Sequence, residues 1–316
     1  MIVDILILSS IYDFSTDLVT QNLEKRGIGY LRLNKENFSD YRITVIPDEV
    51  LMKIEGHGGS FVVNDSVQSV WYRQPIFLRN TPGESLTVKE QLIRSQWMGF
   101  LRSLSIFKNA QWMNWPQSTY LAETKAYQLL EAHKLGFSIP KTKIGNNVED
   151  FKYFAGDVII KSLDTVLLRE GNDCLFTYST VKQPHELCDE EVCDAPLIVQ
   201  EYVFPKTDIR VTVVGDKVFA VKITSQGSSI EEDWRVISRD KVEYTDIALP
   251  YEINCFCLRL VKNLGLNFGA IDLVESNGKY IFIEINPTGE WGWIVTSERR
   301  IDTCIADWLA GESCKI

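Results

Sequence analysis

Asp272, Glu284 and Asn286 are the residues whose types and spacing come closest to specifying a chemistry. They lie in GAIDLVESNGKYIFIEIN, two apolar strand-like segments around an Asn-Gly turn. Odd positions Ile271, Leu273, Ile281, Ile283 and Ile285 are branched aliphatics, which predicts a core face. Even positions Asp272, Val274, Tyr280, Phe282, Glu284 and Asn286 then form the other face. These faces coincide across the hairpin only if the loop has an odd number of residues, so a Ser276-Asn277-Gly278 loop with Gly278 left-handed is expected. Paired or diagonal side chains would then lie roughly 5–8 Å apart. Two carboxylates and an amide at that separation suit one or two divalent ions shared with phosphate oxygens, the arrangement Mg²⁺ prefers. Capping of the following Pro287-Thr288-Gly289 turn is the weaker reading, because burying such groups is costly unless something pairs with them.

DIRVTVVGDKVFAVKIT invites the same reasoning. Ile209, Val211, Val213, Phe219, Val221 and Ile223 share one parity, while Asp208, Arg210, Lys222 and Thr224 share the other. An odd loop at Gly215-Asp216-Lys217 would place Arg210 and Lys222 on one face, with either Asp208 or a bound anion as partner.

The rest of the chain must position these groups. Residues 2 to 8 read as a buried strand, Ser15 or Thr16 as the cap of a helix stopped by Gly27, and IGYLRLN as a second strand. This βαβ opening has no glycine in its SSIYDFST turn, which excludes the dinucleotide fingerprint. GHGG at 56–59 reads as a hairpin turn, and 84–107 has helical periodicity. Ser118 is expected to cap one helix carrying Leu121, Ala122, Ala126, Leu129, Leu130 and His133, with Gly136 at its end. FSIPKTKIG, GDVIIKSL and LIVQEYVFP read as strands, and the acidic 186–196 run as a solvated loop.

Composition narrows the function. The 316 residues are 45% hydrophobic and 24% charged, enough for two or three globular domains. With 33 Lys and Arg against 43 Asp and Glu, the net charge of −10 argues against nucleic-acid binding by bulk charge. Seven cysteines without a CxxC pair, and only His57, His133 and His185, argue against zinc and for reduced thiols. MIVDILILSS is too short for a membrane span and has no basic leader, so a cytoplasmic protein with no membrane partner is expected.

Taken in order, the helix with Lys125, VIIK ending in Lys161, QEYV, DIRV, Asp272 and EIN resemble the ATP-grasp ligase superfamily over residues 116–316. The resemblance implies two α+β subdomains gripping ATP (116–199 and 200–316) behind a Rossmann-like pre-ATP-grasp domain at 1–115. It implies that Lys125, Lys161, the hinge residues Gln200, Glu201, Tyr202 and Val203, and Asp208 bind ATP, and that Asp272, Glu284 and Asn286 hold Mg²⁺. WYRQP (71–75), Asp233-Trp234-Arg235 and EINPTGEWGW look like the microviridin-type peptide cyclases, or graspetide synthetases. Two departures stand out: Arg73-Gln74 where that group commonly has two arginines, and Glu290 where it usually has Gln. The implied chemistry is activation of Asp or Glu side chains of a ribosomal precursor peptide as acyl phosphates. Ester or amide rings with Thr, Ser or Lys would then form, and a homodimer is expected. Arg210, Lys222 and Arg235 would neutralise the transferring phosphoryl group, and no protein nucleophile is needed. The alternatives are an amino-acid ligase of the glutamate-ligase branch and a non-catalytic, nucleotide-dependent peptide-binding module.

Overall fold

A computed structural model describes residues 1–56, 58–73, 86–164, 167–170, 173–176, 179–188, 192–231, 234 and 237–314, with the backbone alone for 167–170, 173–176 and 239. The first lobe is built on β1 (Ile5–Ser9), whose residues are all buried. It continues through α1 (Phe14–Lys25) and β2 (Leu31–Asn34). The cap of α1 is Asp13, whose carboxylate accepts from Thr16 N, rather than Ser15 or Thr16. An antiparallel meander follows: β3 (Arg42–Ile46), β4 (Leu51–Gly56) and β5 (Gly59–Val63). Gly56 pairs with Gly59, so GHGG is the expected hairpin turn, with His57 outside the described residues. β6 (Ser69–Tyr72) and β7 (Gln111–Met113) complete a parallel sheet of order β2-β1-β6-β7, and α2 (Val88–Ser103) lies between them in sequence.

The helical stretch around Ser118 is two helices. Pro116 opens α3 (Pro116–Ala122) at the position where its missing N–H is tolerated. The chain then breaks at Glu123-Thr124 before α4 (Lys125–Leu135), which ends on left-handed Gly136. The break makes Lys125 the first residue of a helix. β8 (Thr142–Gly145), α5 (Val148–Phe151), β9 (Val158–Lys161), the hairpin β10 (Leu167–Glu170) and β11 (Asp173–Phe176), β12 (Thr180–Lys182) and β13 (Leu197–Glu201) form the central unit. Its main sheet has the order β12-β9-β13-β8.

The last unit contains β14 (Thr207–Val214), β15 (Lys217–Ser225), β16 (Val242–Asp246), α6 (Tyr251–Asn263), β17 (Phe268–Ser276), β18 (Lys279–Asn286) and α7 (Ile301–Leu309). Its antiparallel sheet runs β16-β15-β14-β17-β18 and is covered on both sides. Ile209, Val211, Ile271, Leu273, Phe282 and Ile285 pack with Leu260 and Val261 of α6 and Ala132 of α4. On the other side Val214, Val221, Phe268 and Ala270 meet Trp291, Ile301 and Ile305, together with Val19 and Leu23 of α1.

Both expected hairpin loops are corrected. Ser276 pairs with Lys279, so the turn is the two-residue Asn277-Gly278, with φ values of 50° and 77° as a type I′ turn requires. A β-bulge then shifts the register: Leu273 pairs with Phe282, but Asp272 pairs with Glu284, leaving Ile283 as the extra residue. Phe282 is therefore fully buried on the core face, while Ile281 and Ile283 are only half-buried. In the other hairpin Val214 pairs with Lys217, again a two-residue turn, with no shift afterwards. Arg210 consequently faces the same way as Val221, and Lys222 the same way as Ile209, on the opposite side of the sheet. The expectation that Arg210 and Lys222 share a face does not hold.

Candidate active site

The bulge brings the acidic pair together. Glu284 lies directly across from Asp272 on the neighbouring strand, and each is already paired with a cation. Lys125 Nζ donates to Glu284 Oε2 at 2.6 Å, and Asn286 Nδ2 donates to Glu284 Oε1 at 3.1 Å. Arg210 Nη1 donates to Asp272 Oδ1 at 2.7 Å, and Arg210 also pairs with Asp272 across β14 and β17. Burial by itself would raise the Glu284 carboxyl, but Lys125 and Lys161 beside it, with the Lys125 and Asn286 hydrogen bonds, hold it well below the usual carboxylate range. Glu284 is thus ionised at neutral pH.

Two buried polar side chains brace these strands from outside the sheet. Gln128 of α4 donates to Ile285 O at 2.8 Å and accepts from Ile285 N at 3.1 Å, occupying the ladder groups of edge strand β18. Asn114 does the same at the base: it accepts from Asn267 N and Phe268 N and donates to Phe268 O and Pro287 O. Gly289 sits so close to Ala270 that an added Cβ would meet the Ala270 Cβ at 2.6 Å, which explains the glycine in EINPTG.

Lys161, at the end of β9, donates to Gln200 Oε1 at 2.8 Å, and Gln200 Nε2 reaches Thr142 Oγ1 at 2.9 Å. Glu201 N donates to Lys141 O, and Tyr202 Oη donates to Glu231 O at 2.6 Å; Tyr202 and Val203 are half-buried. Asp208 accepts from Lys206 at 2.5 Å and shares the Arg210 face of β14. Arg210 lies 5.8 Å from the Trp293 ring centre, and Trp293 contacts Trp234 and Tyr244. Its buried Nε has no partner among the described residues, which leaves one N–H direction of a fixed cation for a ligand oxygen.

Of the expected site residues, Lys125, Lys161, Arg210, Asp272, Glu284 and Asn286 converge, and Gln200 joins them through Lys161. Lys222 does not. It lines a groove with Ile209, Ile247, Glu275 and Tyr280 on the other side of the sheet. Asp233, Arg235, Gln74 and Pro75 lie outside the described residues. No group of three or more His, Cys, Asp or Glu is clustered for a metal among the described residues, but the donor set here is two carboxylates and an amide. That set fits Mg²⁺, which completes its shell with phosphate oxygens and water.

Sequence reasoning missed a buried network behind this site. Arg73, after the buried strand β6, donates to Asp13 at 2.9 Å, to Thr288 O at 3.0 Å and to Glu290 Oε1 at 3.0 Å. Ser15 Oγ donates to Glu290 Oε2 at 2.7 Å and accepts from Gly292 N at 3.2 Å. Burial would raise the Asp13 carboxyl, but Arg73 and Thr16 bring it down to about 2. The available signal was a single arginine ending the apolar run SVWY.

With this arrangement in hand, residues 122–309 match the family described as the RimK-like ATP-grasp domain. The chain belongs to that family. A ligase associated with RiPPs (ribosomal, post-translationally modified peptides) from Chryseobacterium gregarium, solved with ADP and a leader and core peptide, is 29% identical. The likeness covers 97% of this chain and 96% of that one, with a TM-score of 0.83. The macrocyclase MdnC of Microcystis aeruginosa, solved with the precursor peptide MdnA, shares the fold at 24% identity, over 99% of this chain and 100% of that one (TM-score 0.81). A probable alpha-L-glutamate ligase of Histophilus somni is 32% identical over 95 residues, which span 29% of this chain and 31% of that protein. ATP-grasp family membership and the mixed α+β architecture therefore stand together. Among the described residues no helix is long and apolar enough to cross a membrane.

Proposed function

We propose that the chain is an ATP-dependent peptide macrocyclase. It activates Asp or Glu side chains of a ribosomally made precursor peptide and joins them to Thr or Ser hydroxyls, or to a Lys amine, in ω-ester or ω-amide crosslinks. The observation that carries this reading is likeness over nearly the whole chain, first lobe included, to a ligase whose structure holds ADP together with a leader and a core peptide. The site supports the ATP half independently, since Lys125 and Lys161 flank an ionised Glu284 across from the Asp272–Arg210 pair.

The reaction balances without a protein nucleophile. A peptide carboxylate oxygen bonds to the γ-phosphorus of ATP and ADP leaves; the acceptor hydroxyl or amine then attacks the acyl carbon, phosphate departs and the acceptor proton is lost. Each ring costs the peptide one water. Asp272, Glu284 and Asn286 would hold Mg²⁺, which when bound neutralises charge on the transferring phosphoryl group. Lys125 can shift from Glu284, and Lys161 from Gln200, to phosphate oxygens, and Arg210 offers its Nε–H to a phosphoryl or carboxylate oxygen. Gln200 orients Lys161, while Glu201, Tyr202, Val203 and Asp208 form the nucleotide end of the site. We propose in addition that the enzyme is a cytoplasmic homodimer.

The test is ADP release and product mass with ATP, Mg²⁺ and candidate partners. A ribosomal precursor peptide should stimulate ADP release and lose one water per ring. Stimulation by free glutamate, with addition to an acceptor, would instead favour the amino-acid ligase reading prompted by the Histophilus somni match. No ADP release with either would leave a peptide-binding module.

A further inference from the structure

One buried guanidinium carries the first lobe to the loop beside the catalytic groups. Arg73 comes from the end of β6 in the parallel sheet, and it joins Asp13 of its own lobe to the loop after β18. Nε donates to Asp13 Oδ2 at 2.9 Å, and Nη2 is 3.4 Å from Asp13 Oδ1. Nη2 also donates to Glu290 Oε1 at 3.0 Å, and Nη1 donates to Thr288 O at 3.0 Å. Only 3% of the Arg73 side chain is exposed, against 51% for Glu290, so the arginine is the fixed member. Asp13 is fixed in turn by capping α1. Ser15 holds the same loop from α1 through Glu290 Oε2 and Gly292 N. Gly292 is so tightly seated that an added Cβ would lie 2.7 Å from Ser15 Oγ.

That loop has a second contact, on the catalytic side. The Glu290 carbonyl accepts from Arg210 Nη2 at 3.3 Å, while Arg210 Nη1 is bonded to Asp272. Arg210 therefore has one anchor that is itself a proposed metal ligand and one that is the loop carbonyl. Its buried Nε–H has no partner among the described residues. Remove the loop anchor, and only Asp272 and the Trp293 ring hold the guanidinium, which can then turn further onto the Asp272 carboxylate in place of a cation.

We propose that Arg73, held by Asp13 and assisted by Ser15, is a positioning residue for the phosphoryl-transfer site: it fixes the Thr288–Glu290 segment so that the Glu290 carbonyl seats Arg210 beside Asp272. The inference rests on the function proposed above for its catalytic readout, but not for its binding readout. The first lobe is then part of the catalytic apparatus.

The experiment compares wild type, Arg73→Lys, Ser15→Ala, Arg210→Lys and the Arg73→Lys/Arg210→Lys double variant as full-length chains. ADP binding is measured by calorimetry in Mg²⁺ and in EDTA, alongside peptide-stimulated ADP release and a thermal melt. Arg73→Lys keeps the charge but loses the fork that spans Asp13, Thr288 and Glu290. The factor by which Mg²⁺ tightens ADP binding should fall on the order of 10–100-fold, as for loss of other groups that orient ligating carboxylates, with binding in EDTA unchanged. kcat should fall with KM for ATP nearly unchanged, and Arg73→Lys should add little to Arg210→Lys because both act through one guanidinium. Ser15→Ala should move the same quantities in the same direction by less, and it decides the matter if Arg73→Lys does not fold. Wild-type Mg²⁺ linkage in a folded variant, or full additivity with Arg210→Lys, would overturn the proposal and leave Arg73 a staple between lobes. Absence of ADP release from wild type would count against the proposed reaction alone, since the binding arm still decides the role of Arg73.

Discussion

The β14–β15 and β17–β18 hairpins are built alike and end up doing different things. Each has a two-residue turn, the two lie side by side in the same sheet, and each carries charged residues among branched aliphatics. In β17–β18 one extra residue, Ile283, breaks the alternation before Glu284, and the bulge re-aims the carboxylate to the side where Asp272 lies. In β14–β15 nothing interrupts the ladder, and Lys222 stays opposite Ile209, away from Arg210. A single-residue irregularity is therefore what separates a convergent acidic pair from a cation turned to the far side.

Exchanging Ile283 and Glu284 (Ile283→Glu with Glu284→Ile) should break the comparison most completely. The carboxylate would move to the bulged, unpaired position and an aliphatic side chain would stand across from Asp272, so peptide-stimulated ADP release should fall at least on the order of 10²–10³, the size of loss seen when one preorganised electrostatic group is removed. An exchange variant that still forms rings at the wild-type rate would show that the pairing across from Asp272 does not place the metal ligands.

Glu284→Gln asks the same question with the bulge intact. The side-chain size is kept and the charge lost, so the rate should again fall, on the order of 10²–10³. The fold responds as well. Because Glu284 is paired with Lys125 and flanked by Lys161, the ligand-free variant should be less stable by about 1.5–3 kcal/mol, the typical worth of a hydrogen bond to a charged group. Sequence reasoning about repulsion between the two carboxylates points the other way, to a neutral or mildly stabilising change. A melt of the metal-free protein separates the two: an unchanged or raised Tm would mean the lysines do not hold Glu284.

How much was legible follows from these residues. Asp272, Glu284 and Asn286 could be grouped from chain order and polarity, because carboxylates stand out in an aliphatic strand. The bulge could not, because Ile281, Phe282 and Ile283 are all apolar and nothing in their types marks which one is extra. The face of Lys222 is hidden in the sequence for a related reason: β15 is packed on both sides, Val221 against one cluster and Ala220 against the other, so alternation carries little information there. The Asp13–Arg73–Glu290 connection joins positions that only tertiary packing brings together, and no periodicity reports that. Pro116 and Thr124, neither of which suits a helix interior, mark in the sequence the split of the 116–135 stretch into two helices.

Asp13 offers a smaller effect, read through stability. Its carboxyl titrates near 2 in the folded protein against a usual value of 3.8. A depressed folded value means that the stabilisation is fully present above the unfolded value and is lost as pH falls toward the folded one. The contribution is about 2 kcal/mol, disappearing between pH 4 and 2. Asp13→Asn should therefore unfold more easily at pH 7 by about that amount, and its stability should vary less with pH across the acid window. Parallel acid titrations of the two proteins, followed by circular dichroism, would count against the Arg73 pairing.

Lys222 gives the smallest expected change and the sharpest control on the comparison. Parity in DIRVTVVGDKVFAVKIT puts it with Arg210, while the regular β14–β15 ladder puts it across from Ile209, beside Glu275 and Tyr280. If the ladder is right, Lys222→Ala removes a half-buried cation with no access to the phosphoryl group. Stability should then shift by no more than about 0.5 kcal/mol, as for substitutions away from buried pairs. ADP release should stay within about twofold, a barrier change of less than about 0.5 kcal/mol. Arg210→Lys, by contrast, loses the fork that spans Asp272 and Glu290 O and should slow the reaction even though the charge remains. Running the two variants side by side under saturating ATP tests the sheet itself. A large loss in Lys222→Ala with an unchanged melt would place Lys222 on the Asp272 side, which requires an odd turn or a second bulge in β15.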